Sequence, residues 1–245
     1  MDNEKRMIAW CRMWTEDPSL AHDLMSDGCV QWSGQGERLD AVVGPAEQEQ
    51  FVTAYQARQV NVYSPRVLID AGDRFAYLWD VTTPDGQVLT GLDVNILNGS
   101  HVQENWTFVG RRRCELPDPG PSEPAPTAPA AIEELARRWV RFRNGRTEPA
   151  EELVTGDFAL FSAAGPAGDV SGPAELATLV ERQAVTALTI HREPVVDLGR
   201  GRVAFLWTAT SAADGTTVGG ADVLTVRDGR FACAWSFTGM RPFRY

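Results

Sequence analysis

Histidine is scarce in this 245-residue chain, with one each at positions 22, 101 and 191, which argues against a metal centre built on imidazole. The four cysteines, Cys11, Cys29, Cys114 and Cys233, show no Cys-x-x-Cys spacing. Reduced thiols are therefore expected, with neither a metal cluster nor a disulfide framework. Basic residues are also short: 23 Lys and Arg face 33 Asp and Glu, for a net charge of -10. That balance excludes the clustered positive charge that nucleic acid demands. No apolar run approaches the ~18–20 residues of a membrane span. The opening MDNEKRMIAW carries charge where a signal peptide needs an apolar core. Neither export nor a span is expected, and the expected location is the cytoplasm. No phosphate loop, dinucleotide fingerprint or nucleophile motif occurs, so no cofactor and no metal are expected.

What the chain does have is a duplication. GPAE occurs at 44–47 and again at 172–175, and RFAYLW at 74–79 answers RVAFLW at 202–207. TGLDVNIL at 90–97 answers GGADVLTV at 219–226, and ENWTFVGRR at 104–112 answers CAWSFTGMR at 233–241. These pairs keep an offset of 128 or 129 residues. The reading is one domain written twice, 1–114 and 132–245, around a proline-rich spacer at 115–131 whose composition favours extended polyproline.

Within the first copy, spacing predicts a helix over 4–16, a short helix near 18–26 and a strand in CVQWSG. Gly44-Pro45-Ala46-Glu47 predicts a helix start, with Glu47, like Glu175 in the second copy, closing a capping box. Strands follow at 60–69, 74–83, 88–97 and 101–110, joined by turns at Asp85-Gly86 and Asn98-Gly99. Helices first and then an antiparallel meander give an α+β domain with helices packed on one face of a curved sheet.

If those two dipeptides are the loops, Asp93 pairs with Glu104 and lies opposite Leu78. One face then carries Asp80, Asp93, Asn95, Glu104 and Trp106, and the other carries Phe75, Tyr77, Trp79, Leu92 and Val94. Unpaired carboxylates do not belong in a dry core, so the first face is expected to border a ligand cavity. Crowded carboxylates split their pKa values, which equips one as acid and one as base. Asp93, Glu104 and Asp80 are the candidate catalytic residues. Candidate ligand contacts are Trp106, Asn95, Trp32 and Tyr63, with Asp222, His191 and Trp235 in the second copy. For Trp106, stacking on a ligand and filling the core stand as equal alternatives. The second copy keeps Asp222 but has Cys233 and Thr208 where the other two acids stand, so chemistry is expected in the first.

The element order, the GPAE helix start and the aspartate strand leading through a glycine turn into NWTFVG or AWSFTG resemble the nuclear transport factor 2-like superfamily. That superfamily includes ketosteroid isomerase, scytalone dehydratase and the SnoaL-like polyketide cyclases. The resemblance implies two cone-shaped domains forming an internal pseudo-dimer, in a monomer or a homodimer, with a hydrophobic small-molecule ligand. It implies that Asp93 and Asp222 match the strand aspartate that donates a hydrogen bond in the isomerase, while a pocket aspartate is the general base in the cyclases. Where the isomerase has its separate base, this chain has Ser33 and Phe161, and Trp10 and Trp139 stand where it has a tyrosine. Steroid isomerisation is therefore not expected. Cofactor-independent cyclisation or isomerisation is, with epoxide opening by a carboxylate pair as one form and non-catalytic binding or scaffolding as the competing class.

Overall fold

A computed structural model describes residues 1–36, 38–116, 128–145, 148–182, 185–197 and 199–243. Most of the expected spacer, 117–127, lies outside the described residues. The chain divides into two compact units, Met1–Arg113 and Cys114–Tyr245.

The first unit opens with α1 (Asn3–Thr15), started by Asp2, whose carboxylate accepts from the Lys5 amide at 2.8 Å. Met7, Trp10 and Cys11 recur at helical spacing and are buried. A 3₁₀ turn at Pro18–Leu20 leads into α2 (Ala21–Leu24) and β1 (Met25–Ser33). Helix α3 spans Gly44–Gln56, and Glu47 accepts from the Val43 amide at 2.9 Å. That bond gives Glu47 the capping role read from the sequence. Strands β2 (Val62–Asp70), β3 (Arg74–Thr82), β4 (Val88–Asn98) and β5 (His101–Val109) complete a five-stranded sheet of order β1-β5-β4-β3-β2. β1 runs parallel to β5 and the other neighbours are antiparallel.

The second unit repeats this order. α4 (Pro129–Arg143), α5 (Ala150–Leu153) and β6 (Val154–Ser162) are followed by a short extra strand, β7 (Val170–Ser171), and by α6 (Gly172–Arg182). β8 (Val185–Val196), β9 (Arg202–Ser211), β10 (Thr217–Arg227) and β11 (Arg230–Thr238) close a sheet of order β7-β6-β11-β10-β9-β8. Glu175 accepts from the Ser171 amide at 2.8 Å, as Glu47 does in the first unit.

The registers differ from the sequence reading, and the differences decide which side chains share a face. In the β4–β5 hairpin Asn98 pairs with His101, so the loop is Gly99-Ser100 rather than Asn98-Gly99. That slip of two residues preserves the faces. Between Leu97↔Val102 and Ile96↔Glu104, however, Gln103 is one residue too many in β5, a bulge that reverses them. Asp93 therefore pairs with Thr107, not Glu104. Across the other hairpin Thr82 pairs with Val88, a shift of one, which sets Asp93 opposite Tyr77 instead of Leu78.

The face carrying Phe75, Tyr77, Trp79 and Asp93 is the one that the helices cover. Met7, Trp10, Cys11 and Met13 of α1 pack with Phe75, Tyr77, Trp79 and Val81 in one buried cluster. The aromatic residues that the sequence register set on the face away from Asp93 are thus the floor beneath the helices, and Asp93 lies among them. The second unit shows the same bulge at Ala232, between Val226↔Phe231 and Thr225↔Cys233.

Candidate active site

The site is built on three neighbouring strands and begins with a glycine. Gly91 lies two residues before Asp93, on the same face, and opposite Trp79. A Cβ at Gly91 would stand 2.1 Å from the Trp79 ring, so only glycine lets the indole lie flat across β4. From there Trp79 Nε1 donates to Asp93 Oδ1 at 2.9 Å. Tyr77 Oη and Asn105 Nδ2 donate to Oδ2 at 2.9 and 3.1 Å, and the Thr107 side chain supplies a further hydrogen bond.

Asp93 is 3% exposed. Burial pushes its pKa above the usual carboxylate range, while hydrogen bonds from Thr107, Trp79, Asn105 and Tyr77 pull the other way. Removing a charge from water costs several kcal/mol, and each hydrogen bond to it returns about 1.5–3 kcal/mol. The upward direction shows that burial outweighs the four donors. Two of those donors are hydroxyls, which rotate and can turn from donor to acceptor. Asp93 can therefore take up a proton without stranding its neighbours.

Asp93 borders a cavity of about 200 Å³. Seven of the fourteen residues around it are aromatic, and only Leu39 and Val109 are branched aliphatics. Trp14 lies 5.5 Å from Tyr55 and 5.9 Å from Tyr63, centroid to centroid, and Tyr63 lies 5.3 Å from Trp79. Tyr55 and Tyr63 share a hydroxyl–hydroxyl hydrogen bond of 3.0 Å, and Asn61 Nδ2 donates to Tyr55 at 2.6 Å. Burial pushes the Tyr63 phenol above its ordinary pKa, and Tyr77 is pushed up by burial first and the Asp93 charge second. Cys11, also in the wall, is held as a neutral thiol by burial. Among the described residues no group of three His, Cys, Asp or Glu side chains gathers to hold a metal.

The residues named from the sequence divide between the two faces. Asp93 and Tyr63 line the cavity, as do Ser33 and Trp10, which stand where the isomerase has its base and its tyrosine. Asn95 is buried behind the site, where its Oδ1 accepts from Asn105 at 2.9 Å. Glu104 falls on the opposite face because of the Gln103 bulge, and it accepts from the Trp106 indole at 3.1 Å. Trp106 packs there against Trp32 at 5.9 Å, so both are core residues and form no part of the cavity wall. Asp80 is also on that face, paired with Arg66 at 3.1 Å and Arg113 at 2.9 Å, with Thr90 donating at 2.5 Å. It ties β2 and β4 to the segment after β5. The cluster of three carboxylates expected from the sequence does not form.

In the second unit Trp235 stacks on Phe161 at 4.9 Å, on the face away from Asp222, and His191 stacks on Phe243 at 4.4 Å. Asp222 keeps the glycine–tryptophan arrangement: a Cβ at Gly220 would stand 2.2 Å from Trp207, whose Nε1 donates to Asp222 Oδ1 at 2.8 Å. Its remaining partners differ. Trp139 Nε1 donates at 3.0 Å, Ser236 Oγ at 2.7 Å, and the Arg143 guanidinium lies 3.7 Å away.

Sequence reasoning missed Tyr77, Trp79, Asn105 and Thr107 as neighbours of Asp93. The signal present was the repeated Gly-x-Asp beside a repeated tryptophan.

No family model matches the sequence, and no curated protein matches it. Solved structures do resemble it over less than half its length. A candidate isomerase of the SnoaL-like family from Agrobacterium tumefaciens is 16% identical over 44% of this chain and 97% of its own, with a TM-score of 0.37. A nuclear transport factor 2-like protein of unknown function from Mesorhizobium loti is 18% identical over 46% of this chain and 95% of its own, with a TM-score of 0.37. An Acidithiobacillus ferrooxidans protein described as a candidate polyketide cyclase is 16% identical over 45% and 92%, with a TM-score of 0.38. Their names match the resemblance read from the sequence. At these identities and scores they assign no activity to this chain. Among the described residues, no helix is long and apolar enough to cross a membrane.

Proposed function

We propose that the first unit is a cofactor-independent acid/base catalyst, an isomerase or cyclase, with Asp93 as its proton carrier. The observation that carries this reading is the placement of one buried carboxyl, its pKa pushed upward, at an aromatic-walled cavity. A carboxylate so tuned is a stronger base than one in water and works nearer neutral pH. Tyr77 and Thr107 reorient as the proton arrives and leaves, while Trp79 and Asn105 hold the carboxyl in place. Burial keeps the Tyr63 phenol protonated, and the hydrogen-bonded Tyr55–Tyr63 pair has one hydroxyl proton left to offer to an oxygen that gains charge during proton removal.

The cavity is smaller than the ~300–1,000 Å³ typical of drug-sized ligands, which favours a compact substrate over a fused polycycle. Epoxide opening by a carboxylate pair loses its support, because Glu104 lies on the other face. The competing reading, a non-catalytic binder, is favoured by the four donors around Asp93, which occupy the roughly four lone-pair positions of a carboxylate.

The test is hydrogen–deuterium exchange at carbons next to the carbonyl of small cyclic ketones and enones, followed by NMR. Wild type should accelerate exchange, E104Q should match it, and D93N should fall by about 10²-fold or more. Exchange that survives in D93N, or none in wild type, leaves the binder.

A further inference from the structure

The two units place the same aspartate beside different charges. Asp222 has a cation of its own chain: Arg143, 7% exposed, lies 3.7 Å from its carboxylate and 5.7 Å from the centroid of the Trp139 ring. The repeat offset of 129 puts Trp10 at the place of Trp139 and Trp14 at the place of Arg143. Where the second unit carries a guanidinium between an aromatic ring and the aspartate, the first has an indole and a cavity. None of the fourteen residues lining that cavity is Lys, Arg or His. Among the described residues lining the cavity, Asp93 thus has no cationic neighbour, and it shares the wall with the rings of Trp14, Tyr55, Tyr63 and Trp79, the last turning its N–H edge to the carboxylate. Ring faces carry negative potential and attract cations, especially where water is excluded.

We propose that the cavity of the first unit binds a small organic cation, a methylated amine or quaternary ammonium, held between Asp93 and the rings of Trp14, Tyr55, Tyr63 and Trp79. The inference rests on the reading of this cavity as a ligand site and names the class of ligand. A volume of about 200 Å³ suits a compact ammonium group with a short substituent. A neutral ligand of the same shape meets the same walls but brings no counter-charge to a carboxylate that has only neutral hydrogen-bond donors. An anionic ligand meets a like charge, and no lining cation offsets it.

The experiment is a titration of the intact chain, read by tryptophan fluorescence and calorimetry. The probes are choline and benzyltrimethylammonium, each beside its neutral isostere, 3,3-dimethylbutan-1-ol and neopentylbenzene. Wild type should bind the cations at least about tenfold more tightly than the isosteres. D93N should lose that preference. W14R, which installs the second unit's arrangement, should lose cation binding by about tenfold or more while keeping its circular dichroism. If W14R does not fold, the D93N comparison decides alone. Equal or tighter binding of the isosteres overturns the cation and leaves the ligand site standing. A cation preference that persists in D93N or in folded W14R places the binding elsewhere and overturns the proposal. Binding of no probe overturns both the cation and the ligand site.

Discussion

Trp79 Nε1 lies 2.9 Å from Asp93 Oδ1, and its ring covers Gly91 so closely that no side chain fits beneath it. Trp207 and Asp222 repeat this relationship at 2.8 Å above Gly220. The aspartate is therefore anchored in both units by a donor that cannot rotate away. Its chemistry is set by the remaining partners: two hydroxyls and an amide in the first unit, a second indole, a serine hydroxyl and a guanidinium in the second.

Gly91→Ala forces the Trp79 ring out of its place. Overpacking of a rigid ring beside backbone costs about 1–3 kcal/mol, and the displaced indole loses a hydrogen bond to Asp93 worth about as much again. Urea unfolding should show a loss of about 2–6 kcal/mol. An unchanged midpoint would mean that the ring has room the geometry denies it.

Trp79→Phe removes the donor and keeps most of the ring. Asp93 then loses one of the bonds that hold its pKa down, so its pKa should rise further, read from the carboxyl carbon by NMR. A fall would show that the indole is not donating to Asp93.

Asp93 makes stability depend on pH with a definite sign. Its folded pKa lies above the unfolded value of 3.8, so its contribution is fully present below that value and is lost as pH rises through the folded pKa. Cys11, Tyr63 and Tyr77, the titratable neighbours, are all pushed upward and stay neutral over this range. The unfolding free energy of D93N minus that of wild type should therefore increase as pH rises above about 4 and level off above the folded pKa. A difference that declines over that window would mean that Asp93 is stabilised as an anion.

Asp80→Asn tests the other face. It removes the charge that pairs with Arg66 and Arg113, and because Arg113 is half exposed the cost should be moderate, about 2 kcal/mol. Proton exchange and probe binding should match wild type. A selective loss of either would return Asp80 to the site.

All four cysteines are free and buried, and burial raises Cys29 and Cys233 to about 12. A thiol reagent at about pH 8 should label none of the four in the native protein and all of them in denaturant. Rapid native labelling of Cys11 would show that the cavity opens widely enough to admit the reagent.

The duplication, the element order, the capping glutamates and the aspartate at the same place in two strands were legible in the sequence. They are local or repeated features, and each needs only its own segment to be recognised. Which face the aspartate shares with which neighbours was not legible. Tyr77 and Trp79 alternate with Ala76 and Leu78, and all four are buried, so the alternation carries no polarity to mark the inner side. The decision fell to one extra residue, Gln103, and to a hairpin loop closing at Thr82 and Val88. A shift of one residue moves every side chain of a strand to the other face, and only the packed sheet fixes where that residue goes. The sequence by itself determined that a buried aspartate exists in each unit; tertiary packing gave one of them an arginine and the other a cavity.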